Sequence, residues 1–168
     1  MGEIAAALSA NRATMDELIG AVEKAGDRWL IPGAPGKWSP SQVVEHVARA
    51  LEESANEVAG RPSKLPSLPR LLRPVVRGLF FNRVLKTGTF RKAKTNKAMD
   101  PLTGPATPAE GRVRLEGALA EFDRQCRAHG ESSDSVDSCV FGVVPLGDYV
   151  AFQRFHTRHH TAQLQARH

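Results

Sequence analysis

Apolar positions along the chain fall into four stretches of helical period, with one long interruption between the second and the third. In the first stretch Ile4, Leu8, Met15, Leu18, Ile19 and Val22 share one side of a helix, which predicts an amphipathic element over about residues 3 to 25 with Gly26 as its stop. The second is introduced by "SPSQ", where Ser39 can cap the helix, Pro40 can take its first position and Gln42 can close a capping box. Its stripe is Val43, Val47, Ala50, Leu51 and Val58, stopping near Gly60 and Pro62. The third begins near Pro108, carries Leu115, Leu119, Phe122 and Cys126, and ends at Gly130. The fourth starts between Leu146 and Asp148 and runs through Tyr149, Phe152, Phe155, His156, His160 and Leu164. The polar "ESSDSVDS" that precedes it reads as a surface loop.

Seven prolines punctuate residues 61–108 and exclude one long regular element there. A structureless connection of this length is uncommon in a compact domain, so "LLRPVVRGLFFNRVL" is expected to form a short amphipathic helix lying across the others. Four helices with short connections, apart from this crossover over residues 61–107, predict an all-α four-helix bundle in a single domain spanning residues 1–168.

Charge singles out the same segment. Between Arg61 and Asp100 eleven Lys and Arg stand against one acid, a local +10, while the rest of the chain carries −5. The N-terminal residues lack the basic start and continuous apolar core of a secretory leader, and no run of about 20 apolar residues could span a bilayer. Two cysteines, Cys126 and Cys139, match no paired metal spacing and are too few to frame a disulfide scaffold, so a reduced, cytoplasmic setting is the expectation.

The candidate chemistry lies in "FHTRHHTAQLQ", which brings together three of the six histidines. His156 and His160, four apart on a helix, project from one face with Cβ atoms about 5 to 6 Å apart, close enough for both rings to reach one ion. A third nitrogen is available from His46, at the edge of the buried stripe of the second helix. Three imidazoles on facing helices would hold a divalent metal with positions left open, the pattern of a catalytic centre.

Other residues near these carry plainer readings. Glu45 points about 100° away from His46 and is expected to be a solvated or salt-bridged acid, and His159 is offset from His160 by the same angle. Gln163 can either hydrogen-bond a ligand ring or substrate, or cap the polar end of the helices. Cys126 falls on an apolar face as a core residue, and Cys139 has no evident activating partner. Trp29 and Trp38 bracket a loop where core packing is the default and pocket lining the alternative. His129 and His168 have no partner to recruit them.

"KWSPSQVVEHVARALE" and "FGVVPLGDYVAFQRFHTRHHTAQLQ", together with the order of elements around them, resemble the DinB-like superfamily of bacterial four-helix bundles, also called DinB/YfiT-like metalloenzymes. The resemblance implies a divalent metal, zinc or nickel, held by three histidines that fall on His46, His156 and His160. It also implies activities such as S-transfer to low-molecular-weight thiols, isomerisation or hydrolysis on a small-molecule substrate. Two further classes stay open. One is a non-catalytic metal- or ligand-binding bundle acting as a homodimer. The other is a module that binds nucleic acid or an anionic surface through basic residues 61–100. Against the second, a charge run is usually a solvated face, and no nucleic-acid motif accompanies it.

Overall fold

The structure, a computed structural model, describes residues 2–90 and 97–165. His168 and three basic crossover residues, Arg91, Lys92 and Lys94, lie outside them. The described chain is predominantly helical, with one small two-stranded sheet. Its elements run α1 (Gly2–Glu23), α2 (Pro40–Val58), α3 (Arg73–Val76), α4 (Asn82–Thr87), α5 (Pro108–Gly130), β1 (Ser135–Ser138), β2 (Gly142–Pro145) and α6 (Leu146–Gln165).

The four long helices α1, α2, α5 and α6 are those the periodicity predicts. At the start of α2, the Ser39 hydroxyl accepts the Gln42 N–H and the Gln42 carboxamide accepts the Ser39 N–H at 2.9 Å, which closes the capping box around Pro40. The α5 helix begins similarly, with Thr107 accepting the Glu110 N–H at 3.2 Å ahead of Pro108. Such caps each contribute about 1 kcal/mol. The α2 helix packs chiefly on α5 and α1 chiefly on α6, burying Leu8, Met15, Leu18, Val43, Val47, Leu51, Leu119 and Phe122 in one core. At about 1.5 to 3 kcal/mol per fully buried large side chain, that core is the dominant stabilising contribution.

Within the crossover, α3, a π-helical turn over Arg77–Phe81 and α4 run on without a break. The extra residue of the π turn lets the consecutive Phe80 and Phe81 both pack inward. The Phe81 ring centre lies 5.1 Å from that of Phe152 and 4.9 Å from that of Phe141, which ties the crossover to α6 and to the hairpin. Stacked and tilted aromatic pairs of this kind add about 0.5 to 1.5 kcal/mol beyond burial.

The β1–β2 hairpin corrects the all-α expectation and the reading of "ESSDSVDS" as loop. Val136 pairs with Val144 and both are buried, while Asp137 faces Val143 on the exposed side. With a single apolar residue in β1, the alternation is too short to stand out from a polar loop. Gly142, at φ 71°, closes the turn in the left-handed region, where a side chain would be strained. Two buried carboxylates of α2 hold this region in place. Glu57 accepts the Tyr149 O–H at 2.6 Å and the Cys139 N–H at 2.8 Å, and Glu53 accepts the Lys64 N–H at 2.7 Å.

Candidate metal centre

The turn spacing of α6 sets His156 directly below His160, and the packing of α2 beside α6 brings His46 to the same place. Nε2 of His156 lies 3.1 Å from Nε2 of His46 and 3.2 Å from Nε2 of His160. One nitrogen from each ring falls within 4.8 Å of the others, so the three side chains could hold a metal ion. Metal–nitrogen bonds of about 2.0 to 2.1 Å would separate tetrahedral ligands by about 3.3 Å and right-angled ones by about 3.0 Å, which brackets both short separations.

The outer ring nitrogens decide what the inner ones can do. Nδ1 of His46 lies 2.7 Å from the Met99 carbonyl, which can only accept, so this nitrogen carries the proton and Nε2 keeps its lone pair. Nδ1 of His160 donates in the same way to Oε1 of Gln163 at 3.0 Å. Gln163 is itself held, its amide N–H donating to Nε2 of His159 at 2.9 Å. His159 thus stands outside the triad and braces it. Two fixed lone pairs therefore point at His156, whose Nε2 could donate a proton to only one of them. Protonating the cluster is opposed by its surroundings. Removal from water, then the neighbouring His160 and His46, hold His156 well below the ordinary imidazole value, and removal from water lowers His46 despite its bond to Met99. Inward lone pairs on neutral rings, each with its outer N–H satisfied where a partner is present, form the donor set that a divalent cation requires.

Aromatic rings enclose the cluster. Trp38 lies with its ring centre 4.7 Å from that of His46 and 6.2 Å from that of His160, and Phe90 sits 5.6 Å from His156. The Trp38 N–H donates to Asp100 at 3.1 Å, which places a carboxylate beside His46. Trp38 therefore departs from the core-packing default, whereas Trp29 follows it, buried with its N–H on the Pro105 carbonyl at 2.8 Å. Glu45 is an ion-paired acid, bonded to Arg49 at 2.7 Å and to Arg114 of α5 at 3.0 Å. Those two guanidinium groups outweigh its burial and keep its carboxyl below the usual range. Cys126 is buried in the core, and burial, reinforced by Asp123, pushes its thiol up to about 12. Burial and Glu57 do the same to Cys139. Neither is an activated nucleophile. His129, expected to be without a partner, donates to the Ser135 carbonyl at 2.7 Å and pins the hairpin to α5.

The sequence profile of the DinB superfamily matches residues 7–164, a span that contains all three histidines and every element around them. The chain belongs to the DinB superfamily. Comparison with curated proteins and with solved structures found no match. What sequence reasoning missed in this DinB chain are the Met99 carbonyl, the Trp38–Asp100 pair and Phe90. Met99 acts through its backbone, which leaves no residue-type signal, and Phe90 sits in a segment without periodicity.

Proposed function

We propose that this DinB-family chain is a divalent-metal-dependent enzyme, with zinc or nickel held by Nε2 of His46, His156 and His160 inside a four-helix bundle. Its substrate would be a small molecule, attacked by a thiol in an S-transfer or by water in a hydrolysis. The observation that carries this reading is the pair of fixed tautomers, with Met99 and Gln163 each taking an outer N–H and leaving two lone pairs aimed at a third imidazole. When bound, a divalent ion among three neutral ligands keeps its full charge and lowers the pKa of a coordinated water or thiol toward neutrality.

The remaining roles belong to the chain itself. Trp38 covers the His46 and His160 rings and narrows access by water. Asp100, steered by the Trp38 N–H, is a carboxylate beside the centre that can take up the proton released by the nucleophile. Gln163 and Met99 keep the ligand rings from turning.

Elemental analysis of untagged protein from metal-replete cells, alongside His156→Ala, tests the site. About one ion per chain, lost in the variant, is the expected result; no metal, or unchanged occupancy in His156→Ala, overturns it. Parallel thiol-transfer and esterase or amidase screens of the metal-loaded protein then separate the two reaction classes.

A further inference from the structure

A cavity of about 550 Å³ lies away from the three histidines, between the crossover helix and the β-hairpin. Arg70, Arg73, Arg77 and Asn82 line one side, and Asp137 and Phe141 the other. Arg77 donates to the Val143 carbonyl at 2.7 Å, and Arg73 approaches Asp137 at 3.6 Å, so two of the three guanidinium groups are held at the cavity wall. Arg70 is not. Its side chain, like those of Arg83 and Lys86, has no ion-pair or hydrogen-bond partner among the described residues. Residues 61–90 contain seven Lys and Arg and no acid. On α2 and α5, by contrast, Arg49, Arg112, Arg114 and Arg124 are each paired with a glutamate.

Next to this basic wall, the segment turns apolar side chains to solvent. Leu71, Val75 and Leu79, four residues apart in succession, are 89%, 53% and 74% exposed, and Leu72 and Val143 beside them are more than half exposed. They project outward from the helical run and from the turn that leads into it, while Phe81 and Val84 of the run anchor it to the core. A helix that turns leucines to solvent from a basic surround has the composition of an interfacial element. An acidic peptide would need a groove to receive its own apolar side chains, and Leu71, Val75 and Leu79 stand exposed without lining the cavity, whose walls are basic. The complement to that arrangement is a sheet of phosphates over a hydrocarbon layer.

We infer that the crossover helix and the hairpin form a docking face for an anionic phospholipid surface, with Leu71, Val75 and Leu79 entering the acyl boundary and Arg70, Arg83 and Lys86 facing headgroup phosphates. The protein docks on the bilayer and does not cross it: none of the helices described is long and apolar enough to span one.

Sedimentation of the full chain with phosphatidylcholine vesicles, with and without phosphatidylglycerol, tests this. Binding is expected only with the anionic lipid and is expected to weaken as salt rises. Arg70→Glu and Arg83→Glu should each reduce it by at least about fivefold. The pair Leu71→Asp with Leu79→Asp should reduce it by at least about tenfold. All four positions are at least partly exposed, so helical content and metal occupancy should not change. Absence of binding to anionic vesicles at low salt overturns the inference. Binding that ignores the leucine substitutions also overturns it, and reassigns the face to plain electrostatic adsorption, as to nucleic acid. Loss of binding in millimolar inorganic phosphate, with saturable phosphate uptake, overturns it in favour of a site for a free anion.

Discussion

Gln163→Leu offers the sharpest separation between a built metal centre and three histidines that happen to meet. The substitution keeps side-chain bulk in α6 and removes the acceptor that Nδ1 of His160 uses at 3.0 Å. Stranding that N–H beside a buried ring costs about 1 to 3 kcal/mol if the tautomer is kept. If the proton moves to Nε2 instead, the lone pair that would bind the ion is gone. Loss of an orienting partner of a metal-bound histidine typically lowers affinity 10- to 100-fold, about 1.4 to 2.7 kcal/mol, so the two figures agree. Gln163→Glu retains an acceptor, adds negative charge and should hold the ion at least as well as the parent. His159→Ala, one step further out, should cost no more than about threefold, since it removes only the brace on Gln163. Competition with a chromophoric zinc chelator at neutral pH reads these proteins together with His160→Ala, and circular dichroism checks their fold. An affinity for Gln163→Leu within a factor of about two of the parent, with His160→Ala abolishing binding, would show that His160 needs no orientation and refute the reasoning.

Three further outcomes are expected elsewhere. Gly111→Ala should destabilise the fold by about 1 to 3 kcal/mol, since a Cβ there would meet the Trp29 ring at 2.7 Å, whereas Gly117→Ala in the same helix meets nothing within 4 Å and should stabilise it; urea unfolding of both separates packing from helix propensity. Asp123→Asn should raise the melting temperature at neutral pH. Burial lifts the Asp123 carboxyl above its ordinary value against the pull of Arg12, so its ionised form costs stability at neutral pH. That cost shrinks as pH falls through the raised value and is gone below the unfolded one, so the gap between variant and parent should close toward pH 4; a gap independent of pH would refute this. With both thiols pushed up to about 12, alkylation of the native protein at pH 8 should be roughly a thousandfold slower than that of an ordinary cysteine, and both should label once urea is added; rapid labelling of folded protein would count against the environment assigned to Cys139.

Much of the centre was legible because it rests on local geometry. The spacing of His156 and His160 follows from the helical turn alone, and the N-cap at Ser39 sets the phase of α2, placing His46 beside its buried stripe. The hairpin was not legible, because two buried valines in a stretch dominated by Ser and Asp carry almost no alternation. Nor was the role of Trp38, which covers the histidines only because the start of α2 lies beside the last turns of α6.

Sequence by itself determined the four long helices, the cap at the start of α2, the concentration of charge in the crossover and the three histidines that could act together. The helices, the cap at Ser39 and the His156–His160 pair depend on residues a few positions apart, where backbone geometry leaves little freedom, and the phase of α2 marks His46 as a partner for them. Tertiary structure alone decided that the lone pairs of His46 and His160 turn inward. The outer N–H groups that force them inward donate to a backbone carbonyl 53 residues from His46 and to a carboxamide whose rotamer is fixed by His159. It also decided that Leu71, Val75 and Leu79 face solvent while Phe81 faces the core, since a helix with apolar residues on two sides shows which is buried only once Phe141 and Phe152 have met it.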